Sequence, residues 1–397
     1  MKWYYYLTAL VICLLTLLAF SFIFNVWEER QVMDIVQVGF LSENDSMTVN
    51  TNNFAESRYI LEKEFGDHLQ FFTRTNVGSD QTEEALLELI RSGCDIIFTN
   101  TRSNTVRVVA RNHPDVQFCQ ISNGIAPSLT EGRNFHTFNA RIYEGHYVAG
   151  MAAGMKLREM IDSGEIAPEE ALVGYVGSYP TAEIISGYTA FFLGVRSTAP
   201  EAVMHVRYAY ALSNFLIEKN NAKALIDEGC VIIAQNTGTT GPALACEEAS
   251  AQKAVYHVGC NESMIDEAPS SSLISPRTNW DPYMVAAIRA VMTSKNIEDV
   301  AIGKIHGNDV SAGFDQKWVE MMELNENIAA KDTKLRMNHL IEEIIRGRVD
   351  IFRGNYIGVN PEEPRIIYEL NWGYKENSAS SKPTFHYVLR DVITVEN

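Results

Sequence analysis

Along most of the chain, apolar runs alternate with segments of helical period. IVQVGFLS (35–42) reads as a strand, FAESRYILEKEF (54–65) as a helix, LQFFTRTNV (69–77) as a strand and TEEALLELIRS (82–92) as a helix. CDIIFTN follows as a buried strand, then a helix around TVRVVARN, then the strand VQFCQIS (116–122). The short uninterrupted apolar runs belong to strands buried on both faces, so the pattern predicts a parallel sheet with helices on each side. It restarts near residue 172. LVGYVGSY, AVMHVRYAY, CVIIAQN and AVYHVG read as strands. AEIISGYTAFFLGVRS (182–197), FLIEKNNAKALIDEG (215–229) and PALACEEASAQ (242–252) read as helices between them.

A repeated phrase ties the two series together. GCDIIFTNT (93–101) and GCVIIAQNT (229–237) share six of nine residues. Each follows a helix, runs through an apolar strand and ends in Asn-Thr. Two similar α/β lobes in tandem explain both copies. Beyond them, MNHLIEEIIRGRV reads as an amphipathic helix and IFRGNYIGVNPEEPRIIYEL as a hairpin. The stretch ENSASSKP (376–383) is the loosest in composition. The small residues Ala149, Gly150, Ala152, Ala153 and Gly154 predict a closely packed helix.

The first thirty residues differ from the rest. Residues 3–27 carry no charge and have aromatic residues at both ends, as a membrane-spanning helix does. A cleaved signal peptide is the competing reading, although its apolar region is shorter. A lipoprotein site at Cys13 would follow Ile12, where a small residue is needed. Each version exports residues 31–397. The single Lys2 places the N-terminus in the cytoplasm. The expected organisation is an anchor or signal over 1–30, a first lobe over 31–140 with a returning segment near 281–320, a second lobe over 141–280, and a C-terminal helix-and-hairpin extension over 321–397.

Composition narrows the chemistry. There are 33 Lys and Arg against 50 Asp and Glu, a net charge of −17, and no basic run. Nucleic acid is therefore not an expected partner. The six cysteines form no C-x-x-C pair, and five lie outside the first segment. They read as small buried residues rather than a disulfide framework. Phosphate-loop, dinucleotide, nucleophile-elbow and zinc-protease motifs are absent. The nine His are scattered, with His205 and His257 inside predicted strands. Glu144 in a first helical turn reads as a complement to the helix dipole. No catalytic residue, metal or cofactor is expected.

Strand ends carry the candidate binding residues, because ligands of open parallel sheets sit beyond the carboxyl ends of the strands. Asn100, Thr101, Asn236 and Thr237 occupy such ends, as do Tyr179 and Asn261. Asn amides both donate and accept, which suits a neutral polar ligand. Helix capping is the competing role for each Asn and Thr. Tyr179, Tyr188 and Trp280 are candidates to stack on a planar ligand, with packing under the loops as the alternative.

The segments VQVGFLSENDS, SGCDIIFTNT, YEGHYVAGMAAG, VGYVGSYPTAEIISGYTAFFLGVRS, GCVIIAQNTG and LISPRTNWDPY resemble the basic membrane protein family. These are substrate-binding proteins of ABC importers, similar to purine nucleoside receptors. The resemblance covers roughly 34–300 and continues weakly through IIRGRVDIFRGNY (344–356). It implies a type I periplasmic-binding-protein fold: two doubly wound parallel-sheet lobes joined by a three-strand hinge, closing on a ligand. It implies nucleoside-like cargo and ABC permease subunits as partners. By the same resemblance, Asn52 or Asn53 matches an Asn near the ribose, Asn100 a cleft residue and Tyr188 a stacking Phe. Asn261 and Thr278 stand where the nucleoside receptors carry Asp and Lys, and Trp280 matches a subfamily with N-W-x-P-Y. Those two departures widen the expected cargo to a nucleoside, a nucleobase or a similar small neutral ligand. The function expected is that of an extracytoplasmic receptor of an ABC importer held at the cell membrane. A tethered ligand-sensing ectodomain and a secreted nucleoside hydrolase are the alternatives.

Overall fold

The apolar runs become the inner strands of two sheets. A computed structural model describes residues 35–43, 49–123, 125–126, 128–129 and 134–396. Its first stretch contains β1 (Val36–Leu41), α1 (Val49–Phe65), β2 (Leu69–Arg74), α2 (Thr82–Arg91), β3 (Ile96–Thr99), α3 (Thr105–Asn112), β4 (Gln117–Ile121) and β5 (Phe135–Ala140). Then come α4 (Tyr143–Asp162), β6 (Leu172–Gly177), α5 (Ala182–Arg196), β7 (Val203–Tyr208), α6 (Phe215–Asp227), β8 (Ile232–Asn236), α7 (Gly241–Ser250), β9 (Tyr256–Val258) and β10 (Ser272–Ile274). The remainder holds β11 (Pro276–Thr278), α8 (Asp281–Met292), β12 (Lys304–His306), β13 (Asp309–Ala312), β14 (Val319–Met321) and α9 (Thr333–Ile345). It ends in β15 (Ile357–Val359), β16 (Ile367–Glu369), β17 (Val388–Leu389) and β18 (Ile393–Glu396).

The first sheet has the order β12-β13-β5-β4-β3-β1-β2, and the second β10-β9-β8-β6-β7-β18. Every pairing in both is parallel except that of edge strand β12 with β13. The architecture is α/β with two mostly parallel sheets, as the alternating pattern implies, and is the periplasmic-binding-protein-like fold that the family resemblance implies. The charge-free segment 3–27 lies outside the described residues. Among the described residues no helix is long and apolar enough to cross a membrane.

Three of the connections that join the halves are β5 to α4, β10 to α8, and β13 to β14. Antiparallel pairing of β11 with β14 stitches the second to the third, and Arg141 N donates to Ala312 O at 2.8 Å. Glu144 does more here than complement a dipole. Its carboxylate accepts from Arg141 Nε (2.6 Å) and from Phe314 N (2.9 Å), while Arg141 Nη2 reaches Asp315 (2.6 Å). Burial pushes the Glu144 carboxyl up, and the Arg141 charge pulls it back.

The small residues of α4 let it approach α5 at backbone distance. A methyl group on Gly150 would sit 1.9 Å from the carbonyl oxygen of Phe191, and one on Gly194 would sit 2.1 Å from that of Tyr147. Around this contact Tyr175, Tyr188, Phe191 and Phe192 are fully buried. Each such ring contributes about 2–3 kcal/mol by leaving water. All five described cysteines are buried and free.

Strands β5, β12, β13 and β18 are not among those read from the sequence pattern. All six residues of β5 are buried, yet three are polar. His136 meets Glu298 and Gln117, Thr137 donates to Asp309, and Asn139 donates to Asn123. The tail keeps its expected helix (α9) and hairpin (β15 with β16). Its last strand departs from an extension by joining the second sheet beside β7.

Candidate functional site

The carboxyl ends of the two sheets meet around a cavity of about 60 Å³. Arg102 enters it from beyond β3 in the first half. Ser178, Glu183, Asn236, Thr237 and Asn261 enter from the second, and Ile142 and Thr278 from the connections. Arg102 and Glu183 are the charged residues among those lining it.

Each Asn-Thr phrase ends in a loop wired by an amide and a carboxylate. In the first half, Gln120 Nε2 donates to the carbonyls of Thr101 (2.7 Å) and Ser103 (3.0 Å). The Glu43 carboxylate accepts from Thr101 Oγ1 (2.8 Å) and Arg102 N (2.6 Å). Asn100 ties β3 to the end of β1, donating to Ser42 Oγ and accepting from Glu43 N, both at 3.1 Å. In the second half, Gln235 Nε2 donates to the carbonyl of Thr239 at 2.9 Å. The buried Glu218 carboxylate accepts from Thr239 N (3.0 Å), Thr239 Oγ1 and Asn214 N (2.7 Å). His257 completes this wiring: Gln235 turns its NH₂ toward the loop, so Oε1 faces His257 Nε2 at 2.9 Å and that nitrogen carries the proton. Burial lowers the His257 pKa to about 3, keeping the ring neutral.

Of the expected residues, Asn236, Thr237 and Asn261 line the cavity. Asn261 sits at φ 65° and caps β11, its Oδ1 accepting from Thr278 N at 3.0 Å. Asn100 and Thr101 are engaged in loop wiring, and Arg102, the next residue, reaches the cavity in their place. Tyr179 packs edge-on to Tyr210 with centroids 6.3 Å apart. Tyr188 has no exposed surface and lies against Tyr175 at 5.7 Å, so the stacking expected of it does not occur in this arrangement. Trp280 packs edge-on to Phe138 at 5.3 Å in the first half and does not line the cavity either. Asn52 and Asn53 fall within α1, and their side chains lie outside the described residues.

Pattern reading passed over Glu183, Arg102 and Asn123. Glu183 opens α5, where an acid reads as dipole complement, and Arg102 follows a phrase noted for its Asn and Thr. In the fold Asn123 Nδ2 donates to Glu183 Oε1 at 3.0 Å, linking the two halves. Asn139 Nδ2 holds Asn123 by its Oδ1 at 2.5 Å. Burial raises the Glu183 carboxyl, while Arg102 and Asn123 favour its charged form.

Cys260 also faces the cavity, with its Sγ 4.0 Å from His146 Nε2. Burial pushes the thiol up to about 12 and the imidazole down to about 4. Both stay neutral near pH 7, so the pair is not an activated thiolate nucleophile. What the site offers is donors and acceptors facing each other across a gap.

The profile of the Bmp family, described as ABC transporter substrate-binding protein PnrA-like, matches residues 48–351. The chain belongs to this family. Its members are described as substrate-binding proteins of ABC transporters. A purine-binding protein of Brucella abortus (strain 2308) is 30% identical over 242 residues, 60% of this chain and 63% of that protein. A Haloferax volcanii protein named as an ABC transporter glucose-binding protein is 25% identical over 304 residues, 76% of this chain and 69% of that one. An ABC transporter solute-binding protein of Aeropyrum pernix K1 shares the fold. Its TM-score is 0.64 at 17% identity, with 83% of this chain and 94% of that chain covered.

Proposed function

We propose that this member of the Bmp family captures a purine nucleoside or nucleobase outside the cytoplasm and delivers it to an ABC permease, tethered by residues 3–27. One observation carries the reading: polar groups from both halves converge on one cavity, which the Asn123–Glu183 hydrogen bond closes. The cavity is smaller than the roughly 300–1,000 Å³ of sites for drug-sized ligands, so the halves separate to admit cargo and close over it by hinge motion. Asn236, Thr237, Asn261 and Glu183 then contact the ligand from one side and Arg102 from the other. The single Arg102, already facing a carboxylate, favours an uncharged ligand over a phosphate. The purine-binding Brucella relative supports purine as the cargo class.

Thermal unfolding of the purified chain with inosine, adenosine, hypoxanthine and D-glucose tests this. A ligand at 100 times its Kd adds about 2.7 kcal/mol to stability. A purine-dependent rise in Tm is expected. A rise with glucose and none with any purine overturns the cargo assignment.

A further inference from the structure

The family match ends at residue 351, yet the chain beyond it is folded onto both halves. On the second half, β18 runs parallel beside β7. Arg207 of β7 pairs with Glu396 of β18 and with Glu228 at the end of α6, and His205 lies 3.1 Å from each of these carboxylates. Tyr356 is held on α5, its hydroxyl accepting from Arg196 Nε at 2.8 Å. Phe352 and Phe385 stack at 4.4 Å, and Phe352 packs against Tyr143 where the first connection enters α4.

On the first half the foothold is a polar plug. Ser381 lies in the loosest segment by composition, yet only 1% of its surface is exposed. Its N–H donates to Asp309 Oδ2 at 2.5 Å, and its Oγ lies 2.6 Å from both Asp309 Oδ1 and Ser122 Oγ. Asp309 belongs to β13 and Ser122 follows β4, both in the first sheet. Asn377 folds the plug from within, its Nδ2 donating to Ser381 O at 2.7 Å. Ser122 immediately precedes Asn123, which bridges the cleft to Glu183.

We propose that residues 352–396 form a strap that ties the two halves together and holds the cleft in its closed arrangement. The geometry leaves little slack. Glu376 accepts from the backbone N–H groups of Thr384 and Phe385, and β17 is paired with β15. The plug and the β18 ladder are thus joined by folded chain, and a rotation that separates Asp309 from β7 must pull the plug out or peel the strand. Closure is favoured without ligand, and a bound ligand leaves more slowly. The inference rests on closure of the two halves and not on which ligand they enclose.

Ser381→Ala in the full chain tests it, read by small-angle scattering of the ligand-free protein, hydrogen exchange of residues 377–385 and the dissociation rate of inosine. The expected result is faster exchange, a larger radius of gyration and dissociation about tenfold faster, equivalent to about 1.4 kcal/mol. A released plug with wild-type scattering and a wild-type dissociation rate overturns the strap. Where Ser381→Ala leaves exchange unchanged, Asn377→Ala loosens the plug from within, and the same three measurements then support or overturn the strap in the same way. Scattering needs no ligand, so a chain that ignores inosine still decides the proposal while refuting the cargo assignment.

Discussion

Glu218 is the residue whose removal bears most directly on the cavity without touching it. It has no exposed surface, and its carboxylate accepts three bonds: from Asn214 N, Thr239 N and Thr239 Oγ1. One of these fixes the start of α6, where Asn214 also caps the helix by accepting from Ile217 N at 3.1 Å. The other two fix the loop that follows Asn236 and Thr237. Glu218→Ala leaves all three donors without an acceptor. A hydrogen bond to a charged group contributes about 1.5–3 kcal/mol, and water entering the vacated space offsets part of the loss. The expected cost is about 3–5 kcal/mol, with faster amide exchange over residues 237–241. Urea unfolding read by fluorescence gives the first quantity and exchange mass spectrometry the second. A midpoint within about 0.5 kcal/mol of wild type, with wild-type protection of the loop, would refute the view that this carboxylate organises the site.

Two other perturbations follow from the same geometry. Gly150→Ala drives a methyl group into the Phe191 carbonyl, so α4 and α5 must separate; a loss of about 3 kcal/mol or more is expected, and an unchanged Tm would show that the helices are not in backbone contact. His257 titrates near 6.5 when unfolded but at about 3 when folded, so the fold holds it neutral. A base with a depressed folded pKa contributes stability that is complete above about 6.5 and is lost as pH falls through the window down to about 3. Between pH 7 and 5 the loss is about 2 kcal/mol, 1.5 units at 1.36 kcal/mol each. His257→Gln escapes it, so the stability gap between wild type and variant should narrow by that amount; parallel pH profiles would contradict the buried neutral ring.

Much of the fold was legible because burial on both faces writes itself directly into sequence. Strands such as Ile96–Thr99 and Ile232–Asn236 carry the short apolar runs typical of a doubly covered sheet, and the Asn-Thr phrases mark where two of them end. Small residues in α4 announced a close helix contact and left its partner open. Strand β5 was hidden because His136, Thr137 and Asn139 become core residues only through partners 16 to 172 positions away. The cavity was hidden for the same reason. Asn100 and Asn236 have equivalent sequence surroundings, but the Glu43 network turns the first into a tie between strands while the second faces the gap. Glu183 and Arg102 come from opposite halves, and their meeting depends on how the halves close. Local pattern settled most of the inner strands and the helices between them, since period and apolarity act over neighbouring residues. Which polar groups share a site, and that Ser381 of the tail plugs the first sheet, were decided by tertiary structure, because those contacts join positions whose spacing in sequence carries no signal.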